Sequence, residues 1–323
     1  MEKKFDVTAL GELLVDFTSS GASAQGNVLF EANPGGAPCN LLAMLSSLGH
    51  STAFLGKVGA DMFGAMLRER AAAVGIDMSG LVMDPEALTT LAFVRNSPDG
   101  EREFSFYRRP GADQLLRPEE LDLDKVRQAR VFHFGTLSMT AEPSRSATAA
   151  AVAAAGEAGC LLSFDPNLRE ALWPDPDRAR EAIRFGLERC HVLKISDNEL
   201  TFLTGLIDPK EAVAALLGRY PIPLVLATLG PKGSLACYRG RQVFAPACLR
   251  PDTVDTTGAG DTFGGCALHF VLERGLEALT NEDLMELLTF SNAAASLITA
   301  RRGALSVMPR QEDILTWRAV CFG

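Results

Sequence analysis

The sequence predicts an α/β fold, a mainly parallel sheet with helices on both faces, and three observations carry that reading. Short β-rich runs alternate with longer helical patterns along most of the 323 residues. The runs are mostly too apolar to be half exposed, as strands covered on both sides are. Glycine turns, acids and amides gather directly after them, where an open parallel sheet forms its cleft.

Taken in order, FDVTAL (5–10), TAFLGKV (52–58), VFHFG (131–135), CLLSFD (160–165), HVLKIS (191–196) and PLVLATLG (223–230) read as strands. Between and after them, CNLLAMLSSLG (39–49), DMFGAMLRERAAAVG (61–75), EPSRSATAAAVAAAGEAG (142–159), DRAREAIRFGLERC (177–190), PKEAVAALLGRY (209–220) and FGGCALHFVLER (263–274) read as helices. Gly49, Gly75 and Gly159 stop three of these. Two regions break the alternation. Residues 12–33 and 88–108 read as hairpin strands, the second turning at Ser97–Gly100, and together they make a small β-flap. No Pro- or Ser-rich linker and no repeat divides the chain, so 1–323 reads as one domain with the flap segments inserted.

Composition narrows the function. A net charge of -9 argues against nucleic acid, whose phosphates are bound through surplus Lys and Arg. A local ATP site is compatible with that charge. The seven cysteines are scattered, odd in number and without a C-x-x-C, so reduced thiols in a cytoplasmic protein are expected. The apolar N-terminal run is cut by Gly11, Glu12 and Asp16, unlike a signal peptide. No segment approaches the roughly 20 apolar residues of a membrane span.

No P-loop motif occurs, and no G-x-G-x-x-G follows the first strand, which disfavours a dinucleotide-binding dehydrogenase. The chemistry concentrates elsewhere. In DTTGAGDTFGG (255–265), Gly258, Ala259 and Gly260 carry little or no side chain, so backbone N–H groups can converge on an anion at a helix start. Asp261 there cannot hold an anion but can accept a proton from an alcohol attacking a phosphoryl group. The same residues also read as a plain turn with an acid complementing the helix dipole. NPGGAPCN (33–40) is a second glycine turn into a helix; Asn40 inside it needs several hydrogen bonds, from a polyol or from local backbone. DPNLR places Asp165, Asn167 and Arg169 after a strand, either at a ligand or in an Asx turn. KISDNEL places Glu199 at a helix start, where a cap also explains it. TLGPKGS (228–234) is a third glycine turn, which a β-hairpin loop would match as well.

These stretches in this order, GGAPCN, GKVGADMFG (56–64), DPNLR, TLGPKGS and DTTGAGDTFGG, resemble the ribokinase-like (PfkB) carbohydrate kinase family over essentially the whole chain. ALGELLVDF, NPGGAPCN, FYRRPGAD and DPNLREALWP look most like its bacterial and plant fructokinases. The resemblance implies a three-layer ribokinase-like sandwich with a β-sheet lid, and a homodimer formed through that lid. It implies Asp261 as catalytic base, Gly258, Ala259 and Gly260 as the anion hole, and Arg169 in contact with substrate and phosphate. Asp16, Gly35, Gly36, Asn40, Phe106 and Arg108 would form the sugar site. Lys194, Thr228, Gly230, Gly233 and Asn292 would meet the nucleotide. Glu199 would hold Mg2+ through water, and Asp255, Thr257, Gly303 and Ser306 would surround K+. Where the family favours N-x-x-E, this chain has Ser196–Asp197–Asn198–Glu199. The implied activity is ATP-dependent phosphorylation of fructose to fructose 6-phosphate. The rivals are a 2-keto-3-deoxygluconate kinase, for which Arg108 and Arg169 would supply cations, another sugar or nucleoside kinase, and an inactive sugar-sensing regulator.

Overall fold

The computed structural model describes residues 3–96 and 102–323. The expected turn at Ser97–Gly100 lies outside them. In chain order the elements are β1 (Phe5–Leu10), β2 (Leu14–Ala22), β3 (Val28–Gly35), α1 (Ala37–Ser47), β4 (Thr52–Gly59), α2 (Met62–Ala73), β5 (Ile76–Asp84), β6 (Leu91–Asn96) and β7 (Arg102–Tyr107). There follow α3 (Leu123–Arg127), β8 (Ala129–Gly135), α4 (Ser144–Glu157), β9 (Leu161–Asp165), α5 (Pro176–Leu187), β10 (Val192–Ser196), α6 (Asp197–Thr204), α7 (Pro209–Leu217) and β11 (Leu224–Thr228). The chain closes with β12 (Ser234–Tyr238), β13 (Arg241–Ala245), α8 (Ala259–Arg274), α9 (Asn281–Ile298) and α10 (Gln311–Phe322).

Nine strands form one sheet in the order β13-β12-β11-β10-β9-β8-β1-β4-β5. Pairing is parallel from β11 to β5, and β12 and β13 return antiparallel. Because side chains alternate along a strand, each central strand feeds two cores. Val192, Leu224 and Leu226 join α1, α8 and α9 on one face, while Leu193, Ile195 and Val225 join α4, α5 and α7 on the other. All six strands expected from sequence lie in this sheet. The patterns do not mark out β5, β12 and β13: β5 and β13 are the edges and carry exposed polar positions, while β12 is a short buried strand directly after the TLGPKGS turn.

The flap is a separate four-stranded sheet, β3-β2-β6-β7. Its 2–3 and 6–7 pairs are antiparallel, and β2 joins β6 in parallel. Phe17, Phe30, Phe93 and Tyr107 cluster on one face, with Phe17 also edge-on to Phe63 of α2.

One expectation is corrected. Cys248 and Cys321 form a disulfide, with Cα atoms 5.7 Å apart across 73 residues, so not all seven cysteines are free thiols. Packing of α10 against the loop after β13 brings the pair together, which their spacing in sequence does not reveal. Trp317 of α10 lies under the Arg250 guanidinium of that loop, at 4.8 Å. The other five cysteines are free and buried. No helix among the described residues is long and apolar enough to cross a membrane.

Candidate active site

The carboxyl ends of β1, β9, β10 and β11 open on one side, facing the flap. Strand register decides which flap residues face them. Asn33, Asp16, Ala92 and Phe106 form a single cross-strand row, and both Asp16 and Phe106 line a cavity of about 200 Å³. The neighbouring row contains Phe17 and Phe93 and belongs to the aromatic outer face.

Asp261 lies in the first turn of α8 and lines the same cavity. Gly258 precedes the helix in the left-handed conformation (φ 77°), and no side chain caps the end. A Cβ at Gly258 would run into Ala304, so space as well as dihedral calls for glycine there. The uncapped N–H groups and the helix dipole make this turn receptive to an anion. Asn40 of α1 donates from Nδ2 to Asp261 Oδ2 at 2.8 Å. Burial lifts the Asp261 pKa to about 6, against the pull of that hydrogen bond and of the Lys194 ammonium.

The early glycine turn builds the opposite wall. Gly36 has φ 120°, and a Cβ there would strike the Glu12 backbone oxygen; one at Gly35 would strike the Asp16 carboxylate. Burial pushes Asp16 up to about 7, with Arg169 opposing and Asp255 and Asp261 adding to the rise. Asn40 is 3% exposed, and its Oδ1 has no hydrogen-bond partner among the described residues. An orphan buried acceptor at a cavity wall is a place for a ligand hydroxyl.

Glu12 also lines this cavity, and sequence reasoning passed over it. It is buried, its Oε1 accepts from the Ala37 N–H at the start of α1 (2.9 Å), and burial lifts its pKa to about 7. An acid directly after the first buried strand was the signal available.

Alternation along β9 and β10 puts Asp165 and Lys194 side by side, joined by an ion pair of 2.9 Å. Lys194 also faces the 258–260 turn: a Cβ on Gly260 would lie 3.0 Å from its Nζ. Burial opposes the Lys194 charge, yet Asp165, Glu199 and Asp261 together raise its pKa. Arg169 is exposed at the cavity mouth, with Nη1 held by the Asn167 side chain at 2.8 Å.

Two side chains are engaged differently from expectation. The Arg108 guanidinium is buried, with Nε on Asp113 Oδ2 (2.7 Å), Nη1 on Thr140 Oγ1 (2.9 Å) and Nη2 on the Leu137 carbonyl (2.9 Å). Its side chain is not among those lining the cavity, and its charge is paired: a buried cation needs partners, and Asp113 supplies them. Glu199 closes a capping box on α6. Its Oε2 accepts from Ser196 N–H and Oγ, and Oε1 accepts from Leu168 N–H at 2.7 Å.

A larger cavity, about 560 Å³, continues past Gly260 between α8, α9 and the loops after β11 and β13. Thr228, Gly230, Gly233, Ala259 and Asn292 line it, together with Cys248, Arg250 and Phe263. Asn292 turns its amide to the wall: Oδ1 accepts from Ser234 Oγ and Nδ2 donates to the Pro246 carbonyl, both at 2.9 Å. Behind the 255–260 turn, buried Asp255 accepts from Thr257 N–H (2.9 Å) and Oγ1 (2.7 Å), and meets Gly303 N–H at 3.4 Å. Ser306 is exposed on the following turn.

Two cavities thus meet at the start of one helix, beside a carboxylate of raised pKa. Such an arrangement can hold an alcohol on one side and a polyphosphate on the other, with a proton acceptor between. The pfkB family carbohydrate kinase model matches residues 5–311. Probable fructokinase-2 of Arabidopsis thaliana is 42% identical over 315 residues, covering 96% of this chain and 95% of that protein. The fructokinase of Xylella fastidiosa with bound ATP superposes with a TM-score of 0.86 at 31% identity, covering 98% of each chain. A double mutant of the Vibrio cholerae O395 fructokinase, with fructose, ADP and a potassium ion bound, superposes at 0.85 with 30% identity, covering 98% of this chain and 99% of that one.

Proposed function

The chain belongs to the pfkB family of carbohydrate kinases, and from that premise we propose that it transfers the γ-phosphoryl group of ATP to fructose, forming fructose 6-phosphate. The carrying observation is the Asp261 carboxylate at the uncapped start of α8, where the two cavities meet. Asp261 accepts the proton of the attacking hydroxyl, whose oxygen bonds to the γ-phosphorus as the bond to the leaving ADP oxygen breaks. The N–H groups of the Gly258, Ala259 and Gly260 turn, with Lys194 and Arg169, offset charge on the phosphoryl oxygens. Asp16 and Asn40 orient the sugar over Gly35 and Gly36, and Phe106 excludes water. Thr228, Gly230 and Gly233 line the nucleotide side, with Asn292 securing its wall.

Metal ions fit this donor set to different degrees. Glu199 Oε1 accepts one hydrogen bond and keeps a lone pair for one water of a hydrated Mg2+, whereas Oε2 already accepts two. Asp255, Thr257, Ser306 and the backbone at Gly303 offer hard oxygen donors suited to K+. Bound there, K+ would fix the 255–260 turn; Mg2+ would neutralise charge on the ATP phosphates.

Fructose is favoured over an acid sugar by the Arg108–Asp113 pair. With that guanidinium withdrawn, a substrate carboxylate would meet Asp16 and have Arg169 as its cation. We read the chain as one kinase domain with an inserted lid, working in the cytoplasm and pairing with a second copy through the outer face of that lid. The test is ADP release across a panel of sugars with wild type and Asp261→Asn. Fructose should give the highest kcat/KM, and the variant should bind ATP but turn over about 10²–10⁴-fold more slowly. Efficient turnover of 2-keto-3-deoxygluconate with little on fructose would overturn the sugar assignment. A folded variant with wild-type kcat would overturn Asp261 as base.

A further inference from the structure

We propose that His50, His269 and Glu273 form a binding site for a divalent transition-metal ion of the zinc type, at the far end of the helix that carries the catalytic turn. His269 and Glu273 are four residues apart on α8 and share one face. His50 reaches them from the turn between α1 and β4, and one ligand atom from each of the three lies within 4.8 Å of the others. His50 Nε2 and His269 Nδ1 are 2.8 Å apart, as a hydrogen-bonded pair. A tetrahedral ion with bonds of about 2.0–2.1 Å holds its nitrogens about 3.3 Å apart, so the rings need to open by only about half an ångström.

The surroundings suit a ligand set. Asp6 Oδ2 stands 3.6 Å from His50 Nδ1 and is itself anchored by Ser51 N–H and Oγ. A carboxylate behind the other ring nitrogen favours the tautomer that presents Nε2 to a metal. The His269 ring packs against Phe270 and Phe290. Neighbouring Arg274 is drawn aside to Asp283 and Glu286 of α9. The C-terminal end of α8 adds negative potential. Three protein ligands leave a fourth position for water. Glu273 follows Asp261 by twelve residues, about 18 Å along the helix, so the ion stabilises the fold without touching the reaction.

Equilibrium dialysis of the full-length, metal-stripped enzyme against Zn2+ tests the site, with Co2+ spectra reporting the ligand atoms. One ion per chain is expected, with no thiolate charge-transfer band. Its affinity should fall more than about tenfold in Glu273→Gln and His269→Ala, a loss of the size that disturbed ligand shells produce. Mg2+-supported kinase activity should persist in both. Exposed Glu273 makes the first variant safe for folding. Failure of the wild type to bind Zn2+, equal affinity in the variants, or a thiolate band in the Co2+ spectrum would each overturn the proposal.

Discussion

At the scale of single residues, Glu12, Asp16 and Asp261 share one small cavity, and burial raises the pKa of each, to about 7, 7 and 6. Asp261, as the proposed base, must be ionised to accept a proton. Because its pKa is raised, kcat/KM should fall as pH drops through about 6, well above the ordinary carboxylate range. The Asn40 hydrogen bond and the Lys194 charge hold Asp261 down from an even higher value. Asn40→Ala should therefore move the acid limb to higher pH, and Lys194→Met should move it the same way. The measurement is a pH profile of kcat/KM for wild type and both variants. An acid limb that stays in place in Asn40→Ala would mean that Asp261 is not the titrating group, or that the bond to Asn40 does not form in the working enzyme.

Elements place these groups. Gly36, Asn40, Glu199 and the Gly258–Asp261 stretch sit where a helix begins, as expected where carboxyl ends of parallel strands meet helix N-termini, whereas Lys194 lies within β10 and Asn292 midway along α9. The 255–260 turn shows how such a junction is held. Asp255 ties Thr257 through its backbone and hydroxyl, Gly258 supplies the left-handed residue, and α8 starts directly after it. With K+ beside Asp255 this turn should be stiffer and its N–H groups better aimed. Activity should be higher in potassium than in sodium or tetramethylammonium salts, and Asp255→Asn should erase the difference. Equal rates in all three salts for the wild type would count against a monovalent-cation site.

For the whole molecule, the lid carries a group of exposed apolar side chains, Val28, Leu29, Phe30 and Tyr107. Val28 and Tyr107 are 61% and 65% exposed on the sheet carrying the Phe17, Phe30 and Phe93 cluster. A second lid would cover that face and leave the row of Asp16 and Phe106 toward the cleft. Sedimentation velocity should find a dimer at micromolar concentration, and Phe30→Glu should shift it to monomer by placing a charge in a dry interface. A wild-type monomer would rule out a lid-mediated dimer.

The sequence by itself determined the layered α/β fold, since strand and helix periods are local and the central strands are apolar on both sides. It also marked Asp261, Asn40 and the glycine turns at helix starts, where positive φ or close approach demands glycine in Gly36 and Gly258, whereas Asp16 entered only through the family resemblance. Tertiary structure alone decided which polar groups keep free valences. Glu199 Oε1 accepts from Leu168, Asn292 is turned to its wall by Pro246, and Asn40 reaches across to Asp261. It also brought Glu12 into the cavity, joined Cys248 to Cys321, and set His50 against His269. Such pairings join residues far apart in the chain, and a local pattern carries no record of the distances that long-range packing closes.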